Sequence, residues 1–179
     1  MSNKKAAWFS AFINVVPADY EKWLEDLALQ GWNIDKIGQW SSIRMVFKHT
    51  TPKHYRYVFD MQAAPKKDYK ATYEQFGWEF VGQMASAFIW RKEYDGERPE
   101  SFSDAESVIK RNTNVMYAVM VSFILFLITA VALTVCFILF FNTLNLSDIL
   151  QYVLGFTLSY LFTLYLGYVI NKIRKNRLR

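Results

Sequence analysis

Hydrophobic and polar positions change their period several times along the chain. From about Asp19 to Gln30, the residues Tyr20, Trp23, Leu24, Leu27 and Ala28 recur at helical spacing, with Glu21, Lys22, Glu25 and Asp26 on the opposite, water-facing side. Asp19 is the expected N-cap of this helix and Gly31 its stop. A second helix is predicted from about Lys66 to Phe76, with an aromatic stripe of Tyr69, Tyr73 and Phe76 before Gly77. Between and around the helices the period falls to two. Tyr55, Tyr57, Phe59 and Met61 alternate with Arg56, Val58 and Asp60, and Phe9, Ala11, Ile13 and Val15 alternate with Ser10 and Asn14. Strands are therefore expected at 7–15, 32–37, 43–48, 55–61, 78–81 and 87–92. The order is β-α-β-β, twice, which predicts an α+β sandwich with both helices on one face of an antiparallel or mixed sheet, comparable to a ferredoxin-like arrangement.

The pattern then loses its polar positions altogether. Residues 115–141 and 149–170 are uncharged and mainly apolar, 27 and 22 positions long, against the ~20 that a helix needs to cross a hydrocarbon core. The only formal charge between Arg111 and Lys172 is Asp148. Two transmembrane helices are predicted, joined by a short turn over 142–148, so they must be antiparallel neighbours. Lys110 and Arg111 precede the first helix, and Lys172, Arg174, Lys175, Arg177 and Arg179 follow the second, while the turn holds no cation. Positive-inside bias then places both chain ends and the α+β domain in the cytoplasm, in a multi-pass protein of the cell membrane. The same cations, Lys110 and Arg111 with the basic tail 171–179, also face lipid headgroups, so membrane lipids are expected partners.

Charge changes this picture only by sharpening it. Although 53% of residues are hydrophobic and the pI is about 9.2, sixteen of the Lys and Arg residues and all but one of the acidic ones precede residue 115. The folded domain (1–94) is close to neutral, and Lys66, Lys67 and Lys70 form its one local cationic cluster, a poor footprint for nucleic acid. An ordinary water-soluble globule is excluded, and an aromatic content of 18% argues against disorder. Lys4-Lys5 followed by an apolar run to Val16 has the look of a secretory signal. Asn14 interrupts it, no small-x-small cleavage site follows, and the alternation favours a strand.

In the second apolar segment Gly155, Ser159, Thr163 and Gly167 recur every four residues, a small-residue ladder that allows close helix packing. It can pack on the chain's own first helix, which offers Ala118, Ser122, Ala130 and Thr134, or form a homo-oligomer or a contact with a partner protein's helix. Tyr160 lies too deep to anchor at an interface and needs a hydroxyl partner. Between the domain and the membrane, residues 95–114 form a linker and juxtamembrane helix. Ser103 and Glu106 stand at capping-box spacing, so a stalk would hold the domain near the bilayer.

The domain reads as an internal repeat, about 6–49 and 54–94. Gly31-Trp32 answers Gly77-Trp78, Gly38-Gln39 answers Gly82-Gln83, and Lys48 and Lys92 close the corresponding strands; the offset drops from 46 to 44, as if two residues were missing from one strand. With the phrase from Tyr73 to Trp78, the strand Ile89-Trp90-Arg91-Lys92, and Phe102, Asp104 and Ser107 before the anchor, residues 6–110 resemble the DUF2812 family. That resemblance implies a bacterial protein of unassigned mechanism, often encoded beside PadR-like transcription regulators, and so a regulatory setting. It carries no catalytic residues.

Candidate chemistry is sparse. His49 and His54 share one turn with Asp60 on the next strand, too few ligands for a metal site. Cys136 is the single cysteine, inside an apolar run, which leaves no disulfide framework and no CxxC pair. No phosphate-binding glycine loop and no nucleophile elbow is present. No catalytic residue, cofactor or metal is assigned, and no enzymatic activity is expected. The reading is a membrane-tethered interaction or regulatory module, with an accessory subunit of a larger membrane complex such as a transporter as the alternative.

Overall fold

The computed structural model describes residues 3–62, 64–100 and 105–176. It divides into two compact units, one ending at Asn112 and the other beginning at Thr113. The first is α+β. Its elements run β1 (Lys4–Trp8), α1 (Ser10–Ile13), α2 (Pro17–Leu29), β2 (Trp32–Lys36), a 3-10 turn (Gln39–Ser42), β3 (Arg44–His49), β4 (Tyr55–Met61), α3 (Tyr69–Gln75), β5 (Glu79–Met84) and β6 (Ala87–Glu93). The strands form two antiparallel three-stranded sheets, ordered β1-β3-β2 and β4-β6-β5.

Helix α2 starts two residues before the expected cap, because Pro17 takes the first helical position, where its missing N–H is no loss. Asp19 sits in the first turn instead of capping it. Both helices stop at glycine, as expected. Gly31 (φ 82°) and Gly77 (φ 78°) adopt the left-handed conformation, and their N–H groups donate to the carbonyls of Ala28 and Glu74.

The predicted strand over 7–15 is cut short. Phe9 takes a left-handed conformation (φ 54°), its N–H donates to the Ile43 carbonyl at 2.7 Å, and residues 10–13 close into a single helical turn.

The two halves share more than strand order. Each second strand carries a bulge, between Ile34 and Lys36 in β2 and between Phe80 and Gly82 in β5. Anchored on those bulges, Ile34 pairs with Phe47 and Phe80 with Trp90, so the offset falls from 46 to 43 rather than to 44. Thus Lys92 corresponds to His49 and not to Lys48. The same match follows from the glycines, since Gly31 lies against His49 and Gly77 against Lys92. The missing residues come from the hairpin, which is a 3-10 turn in the first half and the two residues Ala85 and Ser86 in the second. Gly82-Gln83 therefore lies within a strand, whereas Gly38-Gln39 opens a turn.

The helices do not share one face. Tyr20, Leu24, Leu27 and Ala28 of α2 pack with Ile34, Met45 and Phe47 of the first sheet and with Tyr55, Tyr57 and Ile89 of the second. On the other face of the second sheet, Val58, Trp78, Phe88 and Trp90 pack with Tyr69 and Tyr73 of α3. Alternation along β4 produces the division, with odd-numbered side chains on one face and even-numbered ones on the other. The second sheet is buried on both sides.

The second unit holds two long helices, α4 (Ala105–Phe140, whose first residues belong to the first unit) and α5 (Leu146–Lys175). At 36 and 30 residues they are about 54 and 45 Å long, and both are apolar enough to cross a membrane. The expected stalk helix and first span are one helix. The expected cap at Ser103 lies outside the described residues. The connection is shorter than 142–148. Asn145 caps α5, accepting from the Asp148 N–H at 3.0 Å, while the Asp148 carboxylate accepts from the Asn145 N–H at 3.2 Å. The lone charge of the apolar stretch is thus half of a capping box.

Candidate functional site: carboxylates on a strand edge

Strand β4 is an edge strand, and its outward N–H groups need acceptors. Helix α2 supplies them. Glu21 Oε1 accepts from the Phe59 N–H at 3.0 Å and Glu25 Oε1 from the Tyr57 N–H at 3.2 Å. The i, i+4 spacing of the two glutamates matches every second residue of the strand, since four helical residues and two strand residues each advance about 6 Å. A second chain is thereby denied the edge.

The buried Glu21 and the half-buried Glu25 require cations. Arg56, on β4 itself, reaches Glu21 Oε2 at 3.0 Å and Glu25 Oε1 at 2.9 Å, and also donates to the Tyr57 carbonyl. Arg111 Nη1 donates to Glu21 Oε1 at 2.7 Å and Arg111 Nε to the Asn112 side chain at 3.2 Å. Arg98 grips Glu25 with two bonds, at 3.0 and 3.1 Å. The side chains of Glu21, Arg56 and Arg111 are 2%, 7% and 4% exposed. The Glu21 pairs are interior, whereas Arg98, with its side chain 49% exposed, closes the cluster at the surface.

A second polar centre lies farther along the strand. Asp60 is buried and accepts from the Tyr69 and Tyr73 hydroxyls at 2.8 and 3.1 Å and from the Gln62 amide. The Trp90 indole N–H donates to the Tyr69 oxygen at 3.1 Å, and the Tyr73 ring stacks on Trp90 with centroids 4.5 Å apart. Burial, and then the adjacent Asp60 charge, push both phenols well above the ordinary tyrosine range. They are held as donors. Three carboxylates (Glu21, Glu25, Asp60) and three guanidiniums (Arg56, Arg98, Arg111) balance one another. A cleft of about 320 Å³ opens beside Glu25 and Arg98, flanked by Lys22, His54, Tyr55 and Tyr94. Another of about 410 Å³ lies outside the phenols, flanked by Lys66, Asp68 and Thr72.

This centre corrects the expectation for α2, where Glu21 and Glu25 were assigned to water. The apolar stripe was right, but the strand edge beside it turns the adjoining polar positions inward. Arg111 is corrected as well. It was expected at lipid headgroups and is instead buried against Glu21, while Lys110 is exposed. Arg174 and Lys175 are exposed and Lys172 half-buried at the end of α5, and Arg177 and Arg179 lie outside the described residues. Arg56 and Asp60 were not singled out as a pair. Their one trace in the sequence is that charged residues flank Val58 in a strand that is otherwise aromatic or apolar.

In the second unit, Ser159 and Thr163 are buried, and they donate to the carbonyls of Gly155 and Ser159. A Cβ at Gly155 would lie 3.4 Å from Leu133, and one at Gly167 would lie 3.5 Å from Phe123. The ladder thus seats large side chains of α4. Tyr160 meets the Thr134 hydroxyl at 3.4 Å, and Thr134 itself donates to the Ala130 carbonyl. His49 packs on Trp32 and His54 on Tyr94. Among the described residues no three His, Cys, Asp or Glu side chains come together as a metal site.

An α+β domain with an internally neutralised polar centre, joined to two helices of membrane-spanning length, defines the class of this protein. The chain belongs to the DUF2812 family, a family of proteins of unknown function whose profile matches residues 17–124. The match begins at the first residue of α2 and includes Glu21, Glu25, Arg56, Asp60, Arg98 and Arg111. No curated protein and no solved structure matches the chain.

Proposed function

We propose that the chain is a membrane-tethered interaction or regulatory module, with its α+β domain and both ends in the cytoplasm, acting on a protein partner rather than on a substrate. The observation that carries this reading is the Glu21–Arg111 pair. Arg111 is four residues before the uncharged stretch that begins at Val115, and its guanidinium is buried against a carboxylate that also caps β4. The Glu21–Arg111 ion pair, four residues before the apolar stretch, is therefore part of the domain's interior, as a device that passes strain between helix and domain requires. The carboxylates of the centre are saturated by guanidiniums, phenols and backbone N–H groups, which suits a structural relay better than proton transfer. The family's PadR-like gene setting, given by resemblance, fits a regulatory partner.

The common strand order, bulge and glycine corner support a duplicated β-α-β-β unit, each half with the element order of a ferredoxin-like repeat. Docking of a foreign helix on the Gly155–Gly167 ladder has less support, since those residues face Leu133 and Phe123.

Topology is tested in intact cells with single cysteines at Lys53 and Asn145 in a Cys136→Ser background. An impermeant maleimide is expected to label position 145 and to spare position 53; the reverse overturns the orientation. For the partner, proximity labelling by the full chain is compared with that by Glu21→Gln. Loss of specific neighbours at unchanged membrane level and with the domain still folded supports the relay, and an identical set of neighbours contradicts it.

A further inference from the structure

The first sheet has an exposed outer face. Register sets Lys4, Ala6 and Trp8 of β1 opposite Lys48, Val46 and Arg44 of β3, and Lys36 of β2 beside Val46. These alternate with Met45 and Phe47, which are fully buried toward α2. The three strands hold five cations and one carboxylate, Asp35, which pairs with Lys4 at 3.1 Å.

At one end of that face lies a group of large apolar side chains open to solvent: Trp8, Phe9, Phe12, Ile13 and Trp40, exposed by 56, 53, 41, 67 and 78%. Phe9 holds a left-handed conformation that disfavours a bulky L-residue, and the turn it starts displays Phe12 and Ile13 instead of burying them. The Trp8, Phe9 and Phe12 rings contact in series at 6.5 and 6.1 Å, and Arg44 lies 5.6 Å from the Trp8 ring. The turn leads into α2 at Pro17, and Glu21, one turn further, holds Arg111 beside the unit's limit at Asn112.

We propose that Trp8, Phe9, Phe12, Ile13 and Trp40, with Arg44, Lys48 and Lys36, form a lipid-binding face that seats the domain on an anionic membrane surface. Indole and phenyl rings partition to the headgroup level, and cations beside them are drawn to the negative leaflet. A nucleic-acid backbone would use the cations and leave Phe12 and Ile13 with nothing to bury against. The proposal rests on the membrane tether, which makes the contact intramolecular, so that a weak intrinsic affinity suffices. It also accounts for the signal-like pattern of residues 4–16, where two lysines precede an apolar run, as the sequence of an interfacial surface.

The test uses the full chain in nanodiscs of phosphatidylcholine with about one-third phosphatidylglycerol. An environment-sensitive fluorophore is placed at Ile13→Cys, or at the exposed Glu74→Cys as reference, both in Cys136→Ser. Position 13 is expected to shift to the blue and to lose about half its intensity to lipids quenching at the upper acyl chain, while position 74 stays aqueous. Arg44→Glu with Lys48→Glu, both exposed and outside the buried centre, is expected to cut that quenching about twofold. Co-elution with the discs reports the tether separately. Failure to co-elute overturns the tether and the proposal with it, whereas co-elution with position 13 as aqueous as position 74 overturns the lipid face alone. Quenching that survives the double charge reversal, or shielding of position 13 by duplex DNA in place of lipid, also overturns it.

Discussion

Helix α2 lays two carboxylates along the edge of β4, whereas α3 lays two phenols on that strand's own carboxylate. The halves share strand order, bulge position and a glycine corner, yet their helices contribute opposite chemistry. In the first half the helix is the acceptor and the arginines come from β4, residue 98 and residue 111. In the second the helix is the donor, and its aromatic rings do the packing. The lesson is that a like strand order leaves the polar content of the helix free, so long as every buried charge is answered.

The difference is most sharply broken at Glu21. Glu21→Gln takes from the buried Arg56 and Arg111 the carboxylate they share and leaves Arg56 with Glu25, and the domain should lose about 3–5 kcal/mol, read by denaturant unfolding of the detergent-solubilised chain. Asp60→Asn, which keeps an acceptor for the two phenols, should cost clearly less in the same assay.

The glycine corners come next. Both have φ near 80°, but a Cβ at Gly31 would stand 2.7 Å from the Thr50 carbonyl oxygen, while one at Gly77 meets the flexible Lys92 side chain at 3.5 Å. Gly31→Ala is expected to cost about 3 kcal/mol and Gly77→Ala about 1 kcal/mol. Equal losses would show that the two corners are not distinguished by their surroundings.

Alkaline pH acts through phenols of both halves, since burial also raises Tyr20 on α2 well above the ordinary tyrosine range. Burial pushes the Tyr57 phenol up to about 12, and raises Tyr69 and Tyr73 in the same direction. A raised folded-state value means that the native state keeps its proton longer, so the stabilisation is complete below about pH 10 and declines as pH rises through the folded value. Unfolding midpoints should hold steady to about pH 10 and then fall. A decline that begins near neutrality would contradict this.

The smallest effect is expected at Tyr57→Phe. Its hydroxyl is buried without a hydrogen-bond partner among the described residues, so removing it should change stability by less than about 1 kcal/mol, in either direction. Tyr73→Phe, which strips a donor from Asp60, should cost more.

Much of this organisation was legible along the chain. The stripe Tyr20–Ala28, the alternation from Tyr55 to Met61 and the glycine stops all sit where their periods place them, because helix pitch, strand pleat and a left-handed backbone position are local properties. The long apolar segments were equally plain, since length and missing charge need no tertiary context. The likeness of the two halves was read at a different offset, because Lys48 and Lys92 match by letter while the bulges set Phe47 in the place of Trp90. Strand 7–15 failed at Phe9, where a bond to Ile43, distant in sequence, outweighs local alternation.

What a linear pattern can state is which residues are apolar, at what period, and where a helix must stop. It does not state which strand will be an edge, and the polar centre depends on that. Glu21, Arg56 and Arg111 are 35 and 55 residues apart, with nothing in their spacing to connect them. Once β4 became an edge beside α2, its unpaired N–H groups required acceptors, the acceptors required cations, and the energy of burying charge in a medium of low dielectric drew the arginines inward.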